Sequence, residues 1–116
     1  MVTRYADREV TTKENMFNGA GALTNRVIAS QATMYDKNRL FNHCCLAKGS
    51  EVGWHVHKGD GEVYYILKGE GEYNDNGTVT TVGPGDVCWT PDGEGHSLMC
   101  TSEEPLEFIA LVVYSK

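Results

Sequence analysis

Apolar positions in this chain fall in short runs broken by Gly, Asn and Pro, and no segment sustains a helical period. That is the pattern of strands and turns. Leu23–Ala29 sets Leu, Asn, Val and Ala against Thr, Arg and Ile and predicts a first strand. Asp36-Lys37-Asn38 predicts a turn, and Leu40–Ala47 a second strand. Lys48-Gly49-Ser50 turns the chain, after which Gly53–His57 reads as extended. Glu62–Lys68 (EVYYILK) is rich in the β-branched and aromatic residues that suit a pleated surface. Asn74-Asp75-Asn76-Gly77 is a hairpin signal, because Asn and Gly tolerate positive φ, and Thr78–Val82 returns from it. Gly83-Pro84-Gly85-Asp86 turns again. Val87–Trp89, His96–Thr101 and Leu106–Tyr114 follow as strands. Many short strands with frequent turns predict an all-β sandwich or barrel. Residues 1–20 are polar and irregular, and read either as a loose arm or as an edge strand completing a dimer. Residues 21–116 read as one barrel domain without linker or repeat.

Composition narrows the function classes. The 116 residues suffice for one domain. Ten Lys and Arg against 16 Asp and Glu leave a formal charge of −6, which argues against a nucleic-acid surface. No apolar run approaches the roughly 20 residues of a membrane helix. The N-terminal MVTRYADREVTTKEN lacks the apolar core of a secretory signal, so a cytoplasmic location is expected. Cys44, Cys45, Cys88 and Cys100 include no C-x-x-C spacing and read as small buried hydrophobes in a reducing compartment.

The chemistry concentrates in three of the four histidines. His55 and His57 are two apart, so in a strand their imidazoles share a face. Lys58-Gly59-Asp60-Gly61 can reverse the chain, which places Glu62 at the start of a neighbouring strand. His96 follows the Pro91–Gly95 loop. Three neutral imidazoles and a carboxylate suit one divalent transition metal: Mn, Fe, Co, Ni, Cu or Zn. Four protein ligands leave about two positions of an octahedron open, as catalytic sites require.

These residues resemble the cupin superfamily. The pattern G-x5-H-x-H-x4-E-x6-G is met by Gly49, His55, His57, Glu62 and Gly69. The pattern G-x5-P-x-G-x2-H-x3-N is met by Gly85, Pro91, Gly93 and His96, with Cys100 in place of the final Asn. The short spacer, residues 70–84, is similar to that of small single-domain bacterial cupins, some of them compared with oxalate decarboxylases. The resemblance implies a double-stranded β-helix, or jelly roll, with His55, His57, Glu62 and His96 as metal ligands.

Strand parity extends the reading. With Glu62 inward, Tyr64 and Ile66 also point inward and Val63, Tyr65 and Leu67 outward. Tyr64 is then a candidate proton donor or base, or a group that orients a ligand residue. With His96 inward, Leu98 and Cys100 face the barrel, and Ile66, Leu98 and Cys100 are expected to shape the pocket. His43 is a second candidate for proton transfer, set against an ordinary structural role. Arg26 and Arg39 are candidates for a substrate carboxylate, set against exposed salt bridges. Asp60 and Asp86 read as turn residues. Phe108, Ala110 and Val112 alternate with Ile109, Leu111 and Val113, so the last strand is apolar on both faces. A second subunit is its natural cover, and a homodimer is expected. The expected function is a small metalloenzyme acting on an oxygen-chelating organic acid or carbonyl compound, of dioxygenase, decarboxylase, isomerase or lyase type. The alternative is a non-catalytic module that binds or senses a sugar or small acid.

Overall fold

The computed structural model describes residues 1–116. Ten strands run in the order β1 (Val10–Glu14), β2 (Ala22–Val27), β3 (Asn38–Leu46), β4 (Glu51–Val56), β5 (Asp60–Lys68), β6 (Gly71–Asp75), β7 (Thr78–Val82), β8 (Val87–Thr90), β9 (Gly95–Cys100) and β10 (Leu106–Tyr114). The only helical segments are single 3₁₀ turns at Tyr5–Asp7 and Met16–Asn18. No helix is long and apolar enough to cross a membrane.

The strands form two sheets, β1-β2-β3-β10-β5-β8 and β4-β9-β6-β7, paired antiparallel throughout. This is the jelly roll, or double-stranded β-helix. Its centre is β10, hydrogen-bonded to β3 on one side and β5 on the other. Strict alternation along β10 buries Phe108, Ala110 and Val112 and leaves Ile109, Leu111 and Val113 half-buried on the outer face. The β6–β7 hairpin turns at Asn76 (φ 49°) and Gly77 (φ 107°), the positive-φ pair that its Asn-Gly sequence predicts.

Within residues 1–20, Val10–Glu14 joins the larger sheet. β1 pairs with β2 and forms an exposed edge of the larger sheet. The chain then returns through Asn15–Gly21, stitched to the head of β4 by Glu51 N–H donating to the Ala20 carbonyl at 2.8 Å. Leu46, Ile66, Leu98, Leu106 and Phe108 anchor a core of 14 buried residues between the sheets. All four cysteines are free thiols; Cys44, Cys88 and Cys100 are buried and Cys45 is half-buried.

Candidate metal centre and ligand cavity

Three elements deliver the four predicted ligands to one point. His55 and His96 are register partners across β4 and β9. The register shifts by one residue between Val52 and His55, a β-bulge at Gly53-Trp54. The bulge resets the alternation, so Val52 and His55 both face the interior while Trp54 turns to solvent. His57 lies just past β4. Its backbone is held by the β8–β9 loop, through His57 N–H to the Glu94 carbonyl (2.9 Å) and Gly93 N–H to the His57 carbonyl (2.8 Å). Glu62 enters from β5 opposite Thr90 and Val112.

The donor atoms converge. His96 Nε2 lies 3.0 Å from His55 Nε2 and 3.1 Å from His57 Nε2. Glu62 Oε1 lies 3.0 Å from His96 Nε2 and 3.2 Å from His57 Nε2. No donor pair exceeds 4.8 Å. Donors about 2.1 Å from a common ion sit about 3.0 Å apart at octahedral right angles and about 3.4 Å apart in a tetrahedron. These four separations lie near the octahedral edge, and the other two donor pairs lie within 4.8 Å.

The outer nitrogen of every imidazole is also engaged. His55 Nδ1 meets the Gly53 carbonyl at 2.8 Å, and His57 Nδ1 meets Asp60 Oδ1 at 2.6 Å. A carbonyl and a carboxylate can only accept, so both Nδ1 atoms carry a proton, and each Nε2 faces the cluster with a lone pair whenever its ring is neutral. His96 Nδ1 faces the hydroxyls of Tyr73 and Thr90, each at 2.9 Å. Nitrogens about 3 Å apart beside a carboxylate need a proton or a cation among them, and this group could hold a metal ion. The residues fit a divalent metal.

Electrostatics agree. Burial alone would raise the Glu62 pKa, but hydrogen bonds from His57 and His96 overcome it and bring it to about 2. Burial lowers the His55 pKa, which keeps that ring neutral. His57 moves the other way, because the Glu62 hydrogen bond, aided by Asp60, favours its protonated form over the cost of burial.

Beside the cluster is a cavity of about 60 Å³ lined by His55, His57, Glu62, Tyr64, Asn25, Arg39 and Cys44 among apolar side chains from Leu23, Leu40, Val52, Phe108, Ala110 and Val112. Tyr64 points inward as parity predicts, its ring stacked on His96 at 5.0 Å. Burial, and then the Glu62 charge, push its pKa well above the ordinary phenol value. The phenol is therefore held protonated in the metal-free chain.

Other expectations meet different outcomes. Ile66, Leu98 and Cys100 point inward but do not line the cavity; they are sealed in the core. Parity is correct for these residues and depth is not. Ile66 lies four residues beyond Glu62, about 13 Å along the strand, and Leu98 and Cys100 recede from His96 in the same direction. His43 is not brought to the cluster. It faces the outer side of the sheet, where Nε2 meets Glu107 Oε1 at 2.9 Å. Arg26 shares that outer face, its guanidinium 4.1 Å over the Tyr5 ring. Arg39 does reach the mouth of the cavity, with Nε donating to Asp60 Oδ2 at 3.0 Å.

Several functional residues escaped sequence reasoning. Asp60 is no mere turn residue: it is buried at the start of β5 and bridges His57 and Arg39. Its position three residues after His57 was the available signal. Asp86 does act in its turn, accepting from Gly83 N–H at 2.8 Å. Tyr73, Thr90 and the pair Met16 and Phe17 carried no recognisable spacing.

Comparison with known proteins places the chain. A Thermotoga maritima protein named as an oxalate-binding protein is 41% identical over 113 residues, covering 97% of this chain and 93% of that one. The crystal structure of a predicted oxalate decarboxylase from Thermotoga maritima superposes with a TM-score of 0.94 at 40% identity, covering 98% of this chain and 99% of that one. A cupin-2 domain from Rhodospirillum rubrum shares the fold, with a TM-score of 0.80 at 19% identity over 100% of this chain and 77% of that one. The cupin domain family matches residues 42–114, which hold all four candidate ligands, and this chain is a member of it.

Proposed function

We propose that the chain binds one divalent transition metal through His55, His57, Glu62 and His96 and takes a small oxygen-chelating organic acid beside it, with oxalate the leading candidate. The observation that carries the reading is the convergence of three imidazole Nε2 atoms and the Glu62 carboxylate, each imidazole oriented from behind. A bound cation would supply a Lewis acid with open positions for two substrate oxygens. Arg39 spends Nε on Asp60 and keeps its terminal nitrogens for a carboxylate at the mouth. Tyr64 supplies a proton to a substrate atom, and the apolar wall excludes water. Turnover would be of dioxygenase, decarboxylase, isomerase or lyase type.

Binding without turnover is the second reading, and two observations favour it. The Thermotoga maritima relative is named for binding oxalate. His43, the other proton-transfer candidate, sits outside the cavity. Incubating the metal-loaded protein with oxalate and related acids, with and without O₂, decides between them: product formation supports the enzyme, and calorimetric binding without product supports the module. Metal content unchanged in His57→Ala would overturn the site itself.

We further propose a homodimer and a cytoplasmic location. Val63, Ile109 and Leu111 are half-buried, and Tyr65, Val87 and Trp89 exposed, on one outer sheet face that a second copy would cover. Four free thiols suit a reducing compartment. A monomer in light scattering at micromolar concentration would refute the dimer.

A further inference from the structure

The segment between β1 and β2 adopts a costly conformation over the metal cluster. Asn15 (φ 50°), Phe17 (φ 52°) and Asn18 (φ 63°) all occupy the left-handed region. Asparagine tolerates it, but a bulky aromatic seldom does without strain. The surroundings enforce it. Asn15 N–H donates to the Gly21 carbonyl at 2.9 Å, and Asn15 Nδ2 to the Gly19 carbonyl at 3.1 Å. The loop lies so close on β4 that a Cβ on Gly53 would collide with the Phe17 carbonyl oxygen.

That conformation places an aromatic ring, 47% exposed, face to face with His55. The ring centroids are 4.0 Å apart and the planes 14° apart. Phe17 lines both the cavity and an open groove, and Arg39, His55 and His57 line both as well. Of these four residues, Phe17 is the one apolar side chain at the boundary between the two. The space behind it, about 60 Å³, is far below the roughly 150 Å³ apolar cavity that accommodates benzene.

Building on the acid-binding reading above, we propose that Phe17 is the specificity-determining gate of the pocket: its ring shuts the cavity off from the groove, shields His55, and restricts the ligand to small acids. Without the ring, cavity and groove merge and a bulkier acid is admitted.

Phe17→Gly is the natural test, because glycine adopts the left-handed conformation freely and the loop should keep its course. Phe17→Leu retains bulk without the flat stacking face. The first arm needs no acid. Metal-free wild type and variants are treated with diethylpyrocarbonate, and carbethoxylation of His55 is followed by peptide mass spectrometry. The expected result is modification several-fold faster in Phe17→Gly, with Phe17→Leu intermediate; equal rates would overturn the shield. The second arm titrates the Mn(II)-loaded proteins with pyruvate and phenylpyruvate, which share a chelating head and differ by a phenyl group. The wild type should prefer pyruvate, and Phe17→Gly should shift that preference toward phenylpyruvate by roughly tenfold or more. An unchanged preference in a variant that folds and loads metal normally would sink the proposal. If neither protein binds either acid while His55 modification still accelerates, the acid-binding reading fails and the gate survives.

Discussion

At one end of the barrel interior Ile66, Leu98, Leu106 and Phe108 are sealed from solvent; at the other, His57, Glu62, Thr90 and His96 are sealed almost as completely. Equal burial has opposite consequences. The apolar end gains from every area removed from water and cares little about angle. The polar end loses solvation and recovers it only through directed partners: Gly53 and Asp60 behind two imidazoles, Tyr73 and Thr90 behind the third. Stability should therefore reside in the first region and ligand chemistry in the second.

The largest effect is expected at the closed end. Leu98→Ala should cost about 2–5 kcal/mol in denaturant unfolding, because Leu98 is fully buried on β9 between β4 and β6. The fraction that remains folded should load metal with near-normal affinity. Lost metal binding in that fraction would show that the two ends are not separable.

Asp60→Asn should do the reverse. The amide keeps the volume but removes the charge that holds His57 Nδ1–H and the Arg39 guanidinium. Metal affinity should fall about 10–100-fold by competition titration, with metal-free stability changing far less than in Leu98→Ala. Unaltered affinity would demote Asp60 to a structural ion pair.

The two ends also differed in how readily the sequence disclosed them. His55, His57, Glu62 and His96 were legible because a face-sharing pair, a reversing loop and fixed motif spacings leave little freedom. An all-β sandwich or barrel was legible from strand punctuation, and the jelly roll from the resemblance that the motifs carry. Parity correctly turned Tyr64, Ile66, Leu98 and Cys100 inward. It specifies a face and not a depth, so the last three were assigned to a pocket whose walls Leu23, Leu40 and Val52 supply instead. Tyr73 and Thr90 reach His96 only through the β6–β9 pairing and the course of β8, which no local pattern reveals. Phe17 was least legible, because its placement depends on left-handed backbone in a polar segment and on the absence of a side chain at Gly53.

Protonation should separate the regions a third way. The His57 pKa lies above its ordinary 6.5 in the folded, metal-free chain, first through Glu62. Its contribution to metal-free stability is thus fully present below pH 6.5 and is lost as pH rises through the folded value. The depressed Glu62 pKa works oppositely: that contribution is present above the ordinary 4.5 and disappears as pH falls toward about 2. A metal needs the same His57 lone pair that the proton occupies. The gain in melting temperature from saturating Mn(II) should therefore grow between about pH 6 and pH 8. A gain that is flat or falling across that window would mean that His57 is not a ligand.

The smallest effect is expected behind His96. The Tyr73 and Thr90 hydroxyls are 2.5 Å apart, and each lies 2.9 Å from His96 Nδ1. With two hydroxyls able to pair with one Nδ1, deletion of either leaves the imidazole oriented. Tyr73→Phe and Thr90→Val should each cost about 1 kcal/mol or less in stability and a few-fold or less in metal affinity. Deleting both strands Nδ1–H in a fully buried site with no partner, so the double variant should lose markedly more than the sum of the two. A double-mutant cycle on metal affinity reads this directly. Additive losses would mean that the hydroxyls support His96 independently and that the polar end is less interlocked than its distances indicate. A large loss from Tyr73→Phe alone would assign the acceptor role to the phenol and leave Thr90 as the group that orients it.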